Sequence, residues 1–203
     1  MFKTLRGLLR FSFVYNSFAA IIGADRFRRR IVEEFIQPKK GERILDIGCG
    51  PGSIFSYFPD GVHYVGFDLS EEYVEAAVKS YGHKGTFFAG DVETVELNPY
   101  APFDKILAIG VLHHLSDEQV TIMMKKVMAA LRPGGALITL DGCFTKPQNP
   151  LARRIIAADR GEYVRTLEQY QRLVEPFGQI QTTLLTDGLR IPYTHLIMNI
   201  SKV

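Results

Sequence analysis

The chain has 203 residues, 46% of them hydrophobic and 23% charged, which suits one core of ordinary size and excludes a disordered segment. A net charge of +2 is too small to mark a nucleic-acid-binding surface, and two cysteines, Cys49 and Cys143, can neither frame a disulfide-stapled fold nor fill a zinc site. A single compact domain in a reduced, cytoplasmic setting is expected.

Charge is unevenly spread. Residues 1–40 hold nine Lys/Arg against three Asp/Glu, and the remainder holds 15 against 19. Lys3, Arg6 and Arg10 ahead of an apolar stretch imitate a targeting signal, but Tyr15-Asn16-Ser17 interrupts it and Arg26, Arg28, Arg29 and Arg30 follow. No stretch reaches the roughly 18 apolar residues of a membrane span. Residues 1–37 read as two helices packed on the domain. The first places Phe11, Val14, Tyr15 and Phe18 three and four apart, an apolar face suited to covering a pocket. Residues 1–40 are accordingly expected to form a helical lid over a domain at 41–203; contact of residues 1–22 with a membrane surface is the less favoured use of that face.

From residue 43 the chain alternates strand-like and helix-like segments, the pattern of a mostly parallel sheet covered on both faces. Short apolar strands are expected at 43–48, 63–68, 85–90, 104–109 and 136–141. Helical spacing occupies 53–58, 70–81 and 116–131. Ser116 followed by Asp117, Glu118 and Gln119 forms a capping box, and Pro133-Gly134-Gly135 stops that helix. A polar stretch then runs to about residue 166, a helix to Pro176, and strand-like runs cover 179–186 and 192–201, joined by Asp187-Gly188.

In open α/β sheets ligands bind outside the carboxyl ends of the strands. The first such end is Leu45-Asp46-Ile47-Gly48-Cys49-Gly50-Pro51-Gly52-Ser53, a strand entering a glycine turn. A dinucleotide fingerprint would need glycines at 48, 50 and 53, yet Ser53 stands at the last position and Pro51 removes a backbone N–H. Asp46 is unhelpful beside phosphates but suits an ammonium or sulfonium group, so the loop fits a nucleoside with a cationic tail. Asp68 ends the second strand 20 residues after Gly48, where a carboxylate can accept from both ribose hydroxyls, chemistry shared by dinucleotide and S-adenosylmethionine sites. Asp91 ends the third, within reach of an adenine amino group while Val92 packs on the ring. The plain alternatives are a tight turn at the glycines, a helix start at Asp68 and a common turn at Asp91.

Together these segments resemble the class I S-adenosylmethionine-dependent methyltransferases of the small-molecule kind, of the methyltransferase type 11/12 sort. The resemblance covers residues 40–142 closely, through Ile44 to Gly52, Val65 to Ser70, Ala89 to Val92, Phe103-Asp104 through Val111-Leu112-His113-His114-Leu115, and Leu131 to Leu137. It implies a Rossmann-like α/β fold with a seven-stranded, mostly parallel sheet of order 3-2-1-4-5-7-6, strand 7 antiparallel, and helices on both faces. It implies an enzyme that moves a methyl group from S-adenosylmethionine to an oxygen, nitrogen or carbon atom of a small molecule, leaving S-adenosylhomocysteine and needing no metal. It also implies that Asp46, Gly48, Cys49, Gly50 and Gly52 hold the methionine portion, Asp68 the ribose, Asp91 and Val92 the adenine, and Ile109, Gly110 and Val111 the sulfonium side, with Leu69 also among the cofactor-binding residues. On the implied topology Cys49 and Cys143 lie about two strand spacings apart, roughly 10 Å, so both are expected as free thiols.

An in-line methyl transfer needs a general base only when the acceptor is a hydroxyl or a protonated amine. His113 and His114 stand at the end of strand 4, and the resemblance favours His114 for that role; the alternative is a histidine that caps the loop. The resemblance makes Tyr15 a lid residue over the cofactor. Asp159, Arg160, Glu162, Tyr163 and Arg165 cluster after strand 5 as possible acceptor contacts or as a solvated loop. Tyr193 and His195 alternate on the last strand and point to one face, lining the acceptor pocket or covering a helix. Asn98-Pro99-Tyr100 is similar to the Asn-Pro-Pro-Tyr motif of base-methylating enzymes but precedes strand 4 instead of following it. No aromatic-interleaved basic strand accompanies Arg26 to Arg30, so no nucleic-acid partner is expected. A non-catalytic S-adenosylmethionine-binding protein, a nucleic-acid methyltransferase and an NAD-type oxidoreductase are the remaining alternatives, and no motif speaks to oligomeric state.

Overall fold

A computed structural model describes residues 23–159 and 161–202. Tyr15, Arg160 and the first of the two expected N-terminal helices lie outside them.

The second N-terminal helix is α1, Ala24–Ile31, which runs on through one π-helical turn at Val32–Ile36. Its arginines keep to the wet side, where Arg30 bonds Glu34 and Asp187, while Phe27, Ile31, Val32 and Ile36 are buried. Five parallel strands follow: β1 Arg43–Ile47, β2 His63–Asp68, β3 Gly85–Ala89, β4 Phe103–Ile109 and β5 Leu131–Phe144. They are connected through α2, Glu71–Tyr81, and α3, Asp117–Ala130. The remainder is α4 Pro150–Ala157, β6 Arg165–Thr166, α5 Leu167–Val174, β7 Gln179–Leu185 and β8 His195–Ser201.

The sheet order is β3-β2-β1-β4-β5-β8-β7, with β8 antiparallel to both its neighbours. This is the expected arrangement plus one strand, since the two-residue β6 pairs in parallel with the end of β5. Consecutive residues of the central strands enter opposite cores. Leu45, Ile106, Leu137 and Met198 pack with α3 and α5 on one face, and Ile44, Leu107, Ile138 and Ile197 pack with α1 on the other. Burial on both faces explains why these strands read as nearly unbroken apolar runs. Among the described residues no helix is long and apolar enough to cross a membrane.

Several boundaries differ from the expected ones. Residues 53–58 form only a 3-10 turn at Phe55–Tyr57, because Pro59 and Gly61 leave no room to extend a helix. The strand expected at 136–141 is 14 residues long; it starts directly at Leu131, and the proline and glycines are absorbed where its register against β4 shifts. The polar stretch after β5 contains α4, capped by the Asn149 side chain, which accepts from the N–H of Leu151 and of Ala152 ahead of Pro150 at the first turn. Tyr193 lies before β8 and not on it.

The capping box at the start of α3 is present: the Gln119 N–H donates to Ser116 Oγ at 3.2 Å and the Ser116 N–H donates to Gln119 Oε1 at 2.9 Å. Ser116→Ala should therefore cost about 1 kcal/mol, read as a lower urea midpoint with an unchanged denaturant slope.

Candidate functional site

Parallel pairing brings the carboxyl ends of β1, β2, β3, β4 and β5 to one edge of the sheet. There Gly48, Gly50 and Gly52 have φ of 67°, 54° and 74°, a left-handed conformation that L side chains resist. At Gly48 a Cβ would also stand 2.7 Å from Val111 Cγ2, so the β1 and β4 turns touch; at Gly50 a Cβ would meet nothing within 4 Å. The turn is thus closed on one side and open on the other.

Asp46 is 2% exposed. Its Oδ2 accepts from the Tyr64 hydroxyl at 2.5 Å, and its Oδ1 has no partner among the described residues. Burial pushes its pKa up to about 7, with the Tyr64 hydrogen bond opposing and the charge of Asp68 adding to the rise. A carboxyl this poorly compensated suits a cation brought by a ligand. Asp68 accepts from the Gly50 N–H at 2.8 Å through Oδ2 and from the Ser70 N–H at 2.9 Å through Oδ1. It therefore holds the glycine turn, and each oxygen keeps a second lone pair. Asp91 accepts from the Glu93 N–H and is exposed; Val92 is half-buried, and Leu69 stands 74% exposed beside Asp68, an apolar surface with nothing described upon it. Ile109, Gly110 and Val111 are half-buried between the β4 end and the turn that follows.

That turn, Leu112–His114, separates the two histidines. His113 is buried: its Nδ1 lies 2.8 Å from Asp141 Oδ1, and its backbone N–H donates to the same oxygen at 3.2 Å. Its Nε2 is 3.9 Å from Asp159 Oδ1. Burial draws the His113 pKa down, but the Asp141 hydrogen bond and the charges of Asp141 and Asp159 outweigh it and leave the value above the usual 6.5. His114 is exposed, with its ring 4.1 Å from that of His113.

The remaining candidates surround this pair. Asp159 also accepts from the Tyr193 hydroxyl at 2.8 Å, and the Tyr193 ring lies 4.5 Å from that of His195. His195 packs on Phe27 of α1 at 4.4 Å, and burial holds its pKa down at about 4, so it is neutral. Tyr163 is 39% exposed, and its N–H donates to the His113 carbonyl at 3.0 Å. Arg165 is buried and turned inward, away from any solvated loop. Cys49 and Cys143 are free, buried thiols, pushed well above the ordinary thiol range chiefly by burial; neither is poised as a nucleophile.

Asp141 was missed in the sequence although it closes the strand expected at 136–141, where the rule that found Asp68 and Asp91 applies equally. Tyr64 and Gly161 gave no local signal, because each acts on a residue far away in the chain. Two hollows on the described surface, of about 340 Å³ beside Phe55, Tyr81 and His83 and about 410 Å³ at the amino ends of β2 and β3, contain no buried unpartnered polar atom. Asp46 Oδ1, Asp141 Oδ2 and His195 Nδ1 all lie at the opposite edge, so polarity, not concavity, marks the site. Among the described residues no group of three or more His, Cys, Asp or Glu could hold a metal ion.

A family model described as a methyltransferase domain matches residues 44–135. Phosphoethanolamine N-methyltransferase 1 of Zea mays is 28% identical over 85% of this chain and 34% of its own length. The ubiquinone biosynthesis O-methyltransferase of Sinorhizobium medicae (strain WSM419) is 30% identical over 81% of this chain and 68% of its own length. The chain thus spans about a third of the plant relative. Human N-acetylserotonin methyltransferase, solved in complex with SAM, shares the fold at a TM-score of 0.63 and 20% identity, over 80% of this chain and 48% of that one.

Between the unfolded pKa near 3.8 and the folded value near 7, folded Asp46 keeps a proton that the unfolded chain has lost, so its contribution to stability falls as pH rises through that window. Tyr64→Phe removes its one hydrogen bond. At pH 8, with Asp46 ionised, the variant should lose about 2 to 3 kcal/mol in urea unfolding, and distinctly less at pH 5.

Proposed function

The chain belongs to the class I S-adenosylmethionine-dependent methyltransferases, and we propose that it moves a methyl group from S-adenosylmethionine to a small-molecule atom that carries a proton at neutral pH, a hydroxyl or an ammonium. The observation that carries this reading is the buried His113–Asp141 pair on the turn that packs against the glycine loop.

Bound S-adenosylmethionine supplies a methyl carbon already activated by its sulfonium, which leaves the protein to align the acceptor and take its proton. The residues fit that cofactor. The unpartnered Asp46 oxygen suits its ammonium, the open side of Gly50 its methionine chain, the spare lone pairs of Asp68 its ribose hydroxyls, and Leu69, Asp91 and Val92 its adenine. Ile109 to Val111 would flank the sulfonium. No phosphate-binding run of N–H groups is offered, which counts against an NAD-type cofactor.

For the acceptor's proton, His113 is better placed than His114. A carboxylate on Nδ1 fixes the tautomer that leaves the Nε2 lone pair available, the role of the third group in a nucleophile–base–carboxylate relay. Tyr163, Tyr193 and Asp159 would surround the acceptor. Of the expected lid, the described helix α1 supports the reading to the extent that Phe27 rests on His195 beside this cluster. The free thiols fit a cytoplasmic setting.

Labelled methyl transfer to a panel of phenols, alcohols and amines tests the reading. His113→Asn should lower kcat by about 10² to 10⁴, the usual share of a general base, and His114→Asn by far less; the reverse order would return the role to His114. Since the base acts unprotonated, kcat should rise with pH through a midpoint above 6.5, and Asp141→Asn should move that midpoint lower. Cofactor binding with no transfer to any acceptor would mark a binding-only protein. Asp68→Ala should weaken S-adenosylhomocysteine binding by about 1.5 to 3 kcal/mol in titration calorimetry.

A further inference from the structure

Arg165 is the one strongly basic side chain among the described residues that is buried, at 6% exposure. All five of its N–H groups are used. Nε and Nη2 donate to Asp117 Oδ1 at 2.9 and 2.6 Å, Nη1 to the Leu112 carbonyl at 2.9 Å and the Tyr163 carbonyl at 3.0 Å, and Nη2 to the Leu115 carbonyl at 2.7 Å. Leu112 and Leu115 bracket the turn that carries His113, whereas Tyr163 and Arg165 belong to the segment between β5 and α5. One planar guanidinium therefore fastens two parts of the chain that are about fifty residues apart in sequence. Lysine, with three donors on a flexible stem, cannot reproduce that fork.

Two further contacts tighten the same junction. The Tyr163 N–H donates to the His113 carbonyl at 3.0 Å, and Gly161 lies so close that a Cβ there would stand 2.1 Å from His113 Cδ2 and 2.6 Å from its carbonyl oxygen. On the other side, the His113 ring and its backbone N–H share a single oxygen of Asp141. A small displacement of the turn would lengthen both of those bonds together.

We propose that Arg165 is a positioning residue: it locks the His113 turn to the segment between β5 and α5, so that the placement of that segment sets the tautomer and proton affinity of His113. The proposal rests on the reading of His113 as the base only for its bearing on catalysis. The lock itself is measurable without any acceptor.

The test is side-chain NMR of His113 in the full chain, as a pH titration with and without saturating S-adenosylhomocysteine, on the wild type, Arg165→Lys, Asp117→Asn and Gly161→Ala. Asp117 is 74% exposed at its side chain and Gly161 lies in a loop, so those two variants keep the question open to measurement if Arg165→Lys fails to fold. Each folded variant should lower the proton affinity of His113, by up to about tenfold where its Asp141 hydrogen bond is lost, and should mix the two neutral tautomers. S-adenosylhomocysteine affinity should stay within about threefold. A merely structural arginine would lower the melting temperature and leave the His113 signals where they are. Unchanged titration and tautomer in the folded variants would overturn the lock. A displaced His113 titration with no matching displacement in the pH profile of methyl transfer would keep the lock and remove His113 from the chemistry.

Discussion

The parallel pairing of β1 between β2 and β4 is the constraint on which the rest depends. Its register sets Asp46 opposite Gly66 and Leu107, and Ile47 opposite Phe67 and Ala108. A strand with a core on each face has no solvated side on which to carry polar groups, so its chemistry is confined to the place where it ends. The Cys49 N–H donates to the Phe67 carbonyl and the Gly90 N–H to the Asp68 carbonyl, which carries the pairing one step past each strand end. Asp68 then uses both oxygens to hold the turn of the neighbouring strand. The glycine loop is shaped by the sheet beneath it before any ligand arrives.

The charges at that edge show the cost of the arrangement. Asp46 and Asp141 are each 2% exposed, and each has, among the described residues, one oxygen with a partner and one without. The partners are a phenol in one case and an imidazole in the other. A phenol cannot neutralise a carboxylate, so burial pushes the Asp46 pKa up to about 7 despite the Tyr64 hydrogen bond. An imidazole can, by keeping its own proton, and the His113 pKa rises accordingly. The same type of buried acid is thus resolved in two ways: at Asp46 by a raised proton affinity of its own, at Asp141 by raising the basicity of a neighbour. Under the proposed function these are the demands of the two halves of the reaction, a cationic cofactor and an acceptor that must lose a proton.

How much of this was legible in the sequence follows from how local each signal is. The glycine turn, Asp68 and Asp91 were readable because a strand, its end and the next helix occupy one short stretch, and the Ser116 box was readable for the same reason. The strand order agreed with the resemblance, with β6 as an addition that a two-residue strand gives no pattern to announce. Residues 53–58 misled because two turns of apolar spacing look alike whether or not a helix forms. Residues 131–135 misled because Pro and Gly normally stop a strand as well as a helix, yet at a register shift they can be carried within one. Asn149-Pro150 did contain a helix start, an Asx cap followed by Pro at the first turn, hidden inside a stretch that composition marked as loop.

The choice between His113 and His114 was not legible at all, since adjacent residues on a turn differ only in where the turn is held. What holds it comes from elsewhere in the chain: Asp141 from the next strand, Arg165 and Tyr163 from the segment beyond. Burial separates the two physically. His114 is exposed, while an imidazole that is 8% exposed with a carboxylate on Nδ1 has its tautomer and direction chosen for it. The proposed cofactor half of the site is written largely within single strand-turn-helix units and is readable from one sequence. The cluster around His113, proposed as the acceptor half, is assembled from four separate segments and appears only once they are folded against one another.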